Sequence, residues 1–181
     1  MDEIVLAQPD TNIKTIMGVY EAFGRGDVAA ILEAVTDDVD WAAEANPAVA
    51  PWHGVRHGKD AVAKFFAEFG STMEVEEFTP VSIAANDTDV LTVVRFRARS
   101  RATGKTAAMD LHHCFTFRDG KIAYYRGTED TAQTQSVLHP YPRGPGFHDR
   151  GRSWFCLGRA GRAGGGGGWL SVVVVHGGVG G

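Results

Sequence analysis

One polar side chain stands alone on an apolar face. In the run Ala107–Arg118, one alternate set is Ala107, Met109, Leu111, His113, Phe115 and Phe117, and the other is Ala108, Asp110, His112, Cys114, Thr116 and Arg118. Strands send alternate side chains to opposite faces, so the apolar set turns to the core and takes His113 with it. That imidazole is either a core histidine bonded to backbone or a neighbouring side chain, or a functional group, because pocket and core share this face. His53 and His57, four apart in a Pro/Gly loop, could be offered with His112 and His113 as metal ligands. A metal needs a scaffold that fixes its ligands, and residues 112 and 113 point to opposite faces, so no metal centre is expected. Arg95, Arg97, Arg99 and Arg101 alternate with Val94, Phe96 and Ala98. Pairing with cross-strand acids such as Glu74 and Glu76 accounts for this stripe better than phosphate binding.

The elements that position these residues follow from periodicity. Ile13, Ile16, Met17, Tyr20 and Phe23 form a helical stripe capped by Asp10 or Thr11 and stopped by Gly24 and Gly26. Tyr20 lies on that stripe, where it packs in the core or lines a pocket. Asp27 caps a second stripe, Val28, Ile31, Leu32 and Val35, and Asp37-Asp38 leads into a short apolar run through Val39 and Trp41. A Pro/Gly loop follows, and Lys59-Asp60 opens a third helix with Val62, Phe65, Phe66 and Phe69 on one face. Should a pocket form, Trp41, Trp52 and Phe66 are expected to line it or its mouth and so to suit an apolar ligand. From Glu74 the period becomes two. A strand around 75–78 or 81–84, a long strand 90–101, a strand 107–118 and a return through 122–129 are expected, the last hairpin turning at Asp119-Gly120. Helices first and antiparallel strands afterwards predict an α+β domain.

Composition divides the chain. Residues 1–138 hold 13 Lys and Arg against 21 Asp and Glu, whereas 139–181 hold 5 against 1 together with 14 of the 23 glycines. A folded domain over 1–138 and a disordered Gly/Arg-rich tail over 139–181 are therefore expected. An acidic domain argues against a nucleic-acid partner. The opening MDEIVLAQPD lacks the basic region and apolar core of a secretory signal, and WLSVVVV at 169–175 is too short to span a membrane. With two cysteines and no disulfide framework, a cytoplasmic protein without membrane contact is the expectation.

The element order, with YEAFGRGDVAAILEAVTDDVDW at 20–41, HGKDAVAKFF at 57–66 and FTFRDGKIAYYRGTED at 115–130, resembles the nuclear transport factor 2-like superfamily. The similarity covers about residues 10–138 and is to the SnoaL-like and ketosteroid-isomerase-like branch. It implies a cone: a curved antiparallel sheet wrapped around three helices and enclosing a pocket for a small apolar or carbonyl-containing molecule. It also implies a homodimer packed through the outer sheet face and chemistry without a cofactor.

Carried over residue by residue, the resemblance puts His113 where such enzymes keep an acid that donates a hydrogen bond to the substrate oxyanion, a bond an imidazole N–H can also give. It turns Tyr125 and Glu129 toward the pocket. Glu129 is then either a desolvated carboxylate suited to proton transfer or a rim acid paired with Arg126. The general base falls a few residues after Asp37-Asp38, on Ala43 or, with one residue of slack, Glu44, with Asp40 behind it. The tyrosine donor expected on the first helix falls on Val19, beside Tyr20. The Arg-and-two-Asp set of limonene-epoxide-hydrolase relatives is not matched, since Gly127 stands near the second acid. The function expected is proton abstraction next to a carbonyl, as in an isomerase or polyketide cyclase. The alternative is a non-catalytic ligand-binding or dimerisation module.

Overall fold

The computed structural model describes residues 8–139; the expected disorder of the 139–181 tail falls, beyond His139, outside the described residues. Helix α1 (Gln8–Gly24) buries Ile16, Val19, Tyr20 and Ala22. The chain turns at Gly26, whose φ of 70° suits a residue without a Cβ. Asp27 then caps α2 (Val28–Glu33), its carboxylate accepting from the Ala30 amide at 3.1 Å. Strand β1 (Val35–Ala43) follows, with Val35, Val39, Trp41 and Ala43 in the core. Next come β2 (Gly54–His57) and α3 (Lys59–Thr72), then four strands: β3 (Met73–Ala85), β4 (Asp89–Ser100), β5 (Thr106–Arg118) and β6 (Lys121–Thr128). Helix α4 (Thr131–Leu138) ends the described chain.

The six strands form one curved sheet in the order β2-β1-β6-β5-β4-β3. Strands β3 to β6 make the expected antiparallel meander, but β1 pairs with β6 in parallel, Trp41 opposite Tyr125 and Ala43 opposite Gly127. The sheet is therefore mixed rather than antiparallel throughout. Hairpins force antiparallel neighbours, whereas β1 reaches β6 only after a helix and four strands, a crossover long enough for either direction.

Three elements depart from the sequence reading. Strand β2 lies inside the expected loop, and α4 follows the expected return strand through 122–129, where no helix was expected. The two candidate strands at 75–78 and 81–84 are one, with register shifts at Val75/Glu77 and Pro80/Ser82. Because β3 is an edge strand, Pro80 has no second neighbour to whom an amide hydrogen is owed. Among the described residues no helix is long and apolar enough to cross a membrane.

Candidate functional site

Strand β5 alternates as expected, with Phe115 and Phe117 buried and His113, next before Phe115 on that face, only 7% exposed. Thr92 stands opposite His113 on β4. Tyr20 comes down from α1, its hydroxyl 2.6 Å from Thr92 Oγ1 and 2.9 Å from His113 Nδ1. Burial pushes the Tyr20 hydroxyl well above the usual phenol range. Burial, together with the neighbouring His112 charge, depresses His113 from 6.5 to about 4. Both groups are therefore neutral at physiological pH.

Counting protons orients this chain of three. If Nδ1–H donated to Tyr20 and Tyr20 to Thr92, the Thr92 proton would have no acceptor among the described residues. If instead Thr92 donates to Tyr20 and Tyr20 to Nδ1, both hydroxyl protons inside the wall are bonded, and the one proton left over is the imidazole's own, at the cavity that a ligand would fill. The imidazole proton then sits on Nε2, which has no partner among the described residues. Tyr20 thus fixes the tautomer, and His113 presents an N–H donor to the cavity it lines.

That cavity has a volume of about 90 Å³, and its walls are largely aromatic: Phe23, Phe66, Phe69, Phe78 and Phe96, with Leu111 beside them. Tyr125 stacks on Trp41 at 4.0 Å between ring centres and meets His113 edge-on at 5.4 Å. Its phenol lies across Gly127, and burial raises it well above the ordinary tyrosine range. The Tyr125 hydroxyl likewise lacks a partner among the described residues. A third donor, Trp41 Nε1, is buried and unpaired.

Glu129 supplies the acidic corner. Its Oε1 accepts from His53 Nε2 and from Thr134 Oγ1, each at 2.7 Å, while Trp52 Nε1 lies 3.5 Å from Oε2. Burial by itself would raise this carboxyl, but the bonds from His53 and Thr134 and the His53 charge outweigh it and hold it below the usual glutamate range. Glu129 is thus an ionised carboxylate at the cavity wall.

Of the residues singled out in the sequence, His113, Tyr20, Trp41, Trp52, Phe66, Tyr125 and Glu129 all line this cavity. Glu44 and Asp40 do not. Arg126, on the opposite face of β6, holds Glu44 at 3.0 Å and Asp40 at 2.9 Å, and the Arg126 bond keeps the Asp40 carboxyl below its ordinary range. The expectation that these acids stand at the pocket is corrected by strand alternation: Trp41 and Ala43 point in, so the residues flanking them point out. Ala43 itself lines the cavity. With Arg126 engaged on the outer face, the rim pairing of Glu129 with Arg126 also gives way to the His53 pair. Asp40→Asn and Glu44→Gln are accordingly expected to change any turnover less than about twofold and stability by about 1 kcal/mol or less, as pairs with one partly exposed partner do; urea denaturation and initial rates check this.

Sequence reasoning missed three participants. His53 was weighed only as a metal ligand; among the described residues no group of three or more His, Cys, Asp and Glu could hold a metal. Thr92 was legible as a lone hydroxyl between Val90 and Val94 on the inward face of β4. Thr134 belongs to the unexpected α4. Three of the four stripe arginines pair as anticipated, Arg97 with Glu76, Arg99 with both Glu74 and Glu76, and Arg101 with Glu74 at 4.0 Å.

His113 also sets a pH dependence. The unfolded imidazole takes up a proton below about 6.5, but the buried one does so only near 4. Between those values the unfolded state binds more protons, so stability falls by up to about 1.4 kcal/mol per unit as pH drops through the window. His113→Phe should flatten that acid limb in denaturation midpoints measured from pH 7 to 4.

The family model described as the SnoaL-like domain matches residues 17–125, and no curated protein matches. Among solved structures, an NTF2-like protein of unknown function from Burkholderia pseudomallei is 23% identical. The match covers 71% of this chain and 98% of that one, with a TM-score of 0.67. TerC, crystallised with polyporic acid, is 23% identical over 71% of this chain and 98% of its own, at 0.63. A protein from Xanthomonas campestris provisionally named a polyketide cyclase is 19% identical over 73% and 99%, at 0.61. At these identities the likeness establishes a shared fold.

Proposed function

The chain belongs to the SnoaL-like domain family, and from that premise we propose that it abstracts a proton next to a carbonyl of a small apolar molecule without a cofactor, as an isomerase or polyketide cyclase does. One observation carries this: two hydrogen-bond donors without protein partners, His113 Nε2–H and the Tyr125 hydroxyl, line the same apolar cavity as an ionised carboxylate. His113 stands opposite Gly127, and Glu129 lies two residues further along the same face, about 7 Å at strand rise. That span suits a carbonyl oxygen and its adjacent C–H group between them.

Glu129 Oε2 takes the proton, the C–H electron pair moves onto the carbonyl oxygen, and the resulting enolate accepts bonds from His113 and Tyr125. Return of the proton to another carbon isomerises the molecule; attack of the enolate carbon on a second carbonyl closes a ring, and the alkoxide so formed takes the proton back from Glu129. Glu129 takes the role that the resemblance gave to Glu44 or Asp40. That TerC, of this fold, was crystallised with polyporic acid supports a small organic ligand. Leu91, 54% exposed on the face away from the cavity, supports the implied homodimer, which sedimentation would check.

Ala43 favours a second reading. It lines the cavity at the position the resemblance gives to the base, as it would in a non-catalytic binding module. Both readings meet in one experiment: cyclic ketones and polyketide-like phenols are held with the protein in D2O, and NMR follows loss of the protons beside the carbonyl. Acceleration over buffer is the expected result. Ligands that bind without acceleration would establish the binding module instead.

A further inference from the structure

We propose that His53 is a positioning residue for this reaction: as an imidazolium it keeps Glu129 ionised and leaves Oε2 turned to the cavity. The role rests on the proton abstraction above for its purpose, and on hydrogen-bond geometry for its structure. His53 Nδ1 lies 3.1 Å from the Asn46 carbonyl oxygen, and Nε2 lies 2.7 Å from Glu129 Oε1. A carbonyl and a carboxylate can only accept. A neutral ring carries one N–H, so one of these contacts would set two lone pairs face to face. Protonating the carboxyl would repair that contact, but Oε1 also accepts from Thr134 at 2.7 Å and Oε2 faces the indole N–H of Trp52. Three donors converge on the carboxylate, and the proton belongs to the ring.

The His53 side chain is wholly buried and that of Glu129 is 14% exposed, so the pair acts where water screens little. Oε1 is occupied by His53 and Thr134; Oε2 keeps only the long indole contact and is the oxygen free to take a proton. The neighbouring titratable groups are neutral or engaged. Tyr125 on β6, Tyr20 on α1 and His113 on β5 are neutral, and Asp130 caps α4 through the amides of Ala132 and Gln133. His139, after α4, bonds the Val49 carbonyl in the loop that carries His53. When Glu129 accepts the substrate proton, the imidazolium remains as counter-charge to the enolate.

The test uses the full chain labelled with 15N in its histidine rings and 13C in its glutamate carboxyls. In the wild type both His53 nitrogens are expected to be protonated, and Glu129 a carboxylate, over the pH range of the exchange assay. His53→Gln retains a donor without the charge. It is expected to raise the Glu129 titration midpoint by about one to two pH units and to move the acid limb of the exchange profile with it. A role confined to packing would lower the rate equally at every pH and leave the midpoint in place, which overturns the proposal. So does a singly protonated ring in the wild type, a result that needs no variant to fold. A doubly protonated ring in a protein that accelerates no exchange overturns the reaction itself, not the ion pair.

Discussion

Glu129→Gln lowers exchange of the proton beside the carbonyl by about 10²- to 10⁴-fold, the range that a positioned general base contributes. The amide keeps the shape of the carboxylate and can turn its N–H2 toward the His53 Nε2 lone pair. It has no negative charge and no basic lone pair to offer at the position of Oε2. Substrate affinity changes little, because the apolar walls and the two donors are untouched. Stability falls by less than the about 3–5 kcal/mol expected of a stranded buried charge, since His53 can release its Nε2 proton and keep Nδ1–H on the Asn46 carbonyl. Single-turnover exchange and urea denaturation measure the two effects separately. A variant that exchanges at the wild-type rate would move the base elsewhere.

Gly127→Ala produces the second large effect, and for a reason unrelated to backbone freedom. A Cβ at this position would lie 2.9 Å from Tyr125 Cζ and well inside contact with the hydroxyl oxygen. The ring has nowhere to retreat: Trp41 stacks on it at 4.0 Å, Phe115 lies 5.0 Å away and His113 stands at its edge. Overpacking of this kind costs about 1–3 kcal/mol and displaces the phenol from the oxygen it would hold, so affinity for carbonyl ligands falls with stability. Adding Tyr125→Ala should relieve the clash, making the double variant more stable than the two separate losses predict. A Gly127→Ala protein with an unchanged denaturation midpoint would show that the ring is free to move.

What the sequence revealed and what it hid divide along a physical line. Alternation is local, so the inward turn of His113 was visible from its own strand, as was the pairing of the arginine stripe with acids on the neighbouring strand. The partner of Glu129 was not visible, because His53 lies 76 positions earlier in a loop without periodicity. Arg126 is adjacent in sequence but on the other side of the strand, which made the wrong pair look natural. Glu44 and Asp40 were misplaced because the choice between Ala43 and Glu44 hinged on a single residue, and one step along a strand reverses the face. Strand β2 escaped notice because its four residues bury little and Val55 is 58% exposed. Helix α4 was hidden because, in TAQTQSVL, only Thr134 and Val137 are buried, too few to make a stripe.

The place of β6 has a consequence for synthesis. It is the last strand of the sheet to leave the ribosome, yet it lies between β1 and β5. Until residues 121–128 emerge, the first half of the chain and the β3–β5 meander are two fragments with no shared ladder, and the strand bearing Tyr125 and Gly127 is the one that joins them. Closure of the sheet and assembly of the cavity are therefore a single late event, and nascent chains halted before Lys121 should expose their aromatic side chains to chaperones rather than hold a ligand.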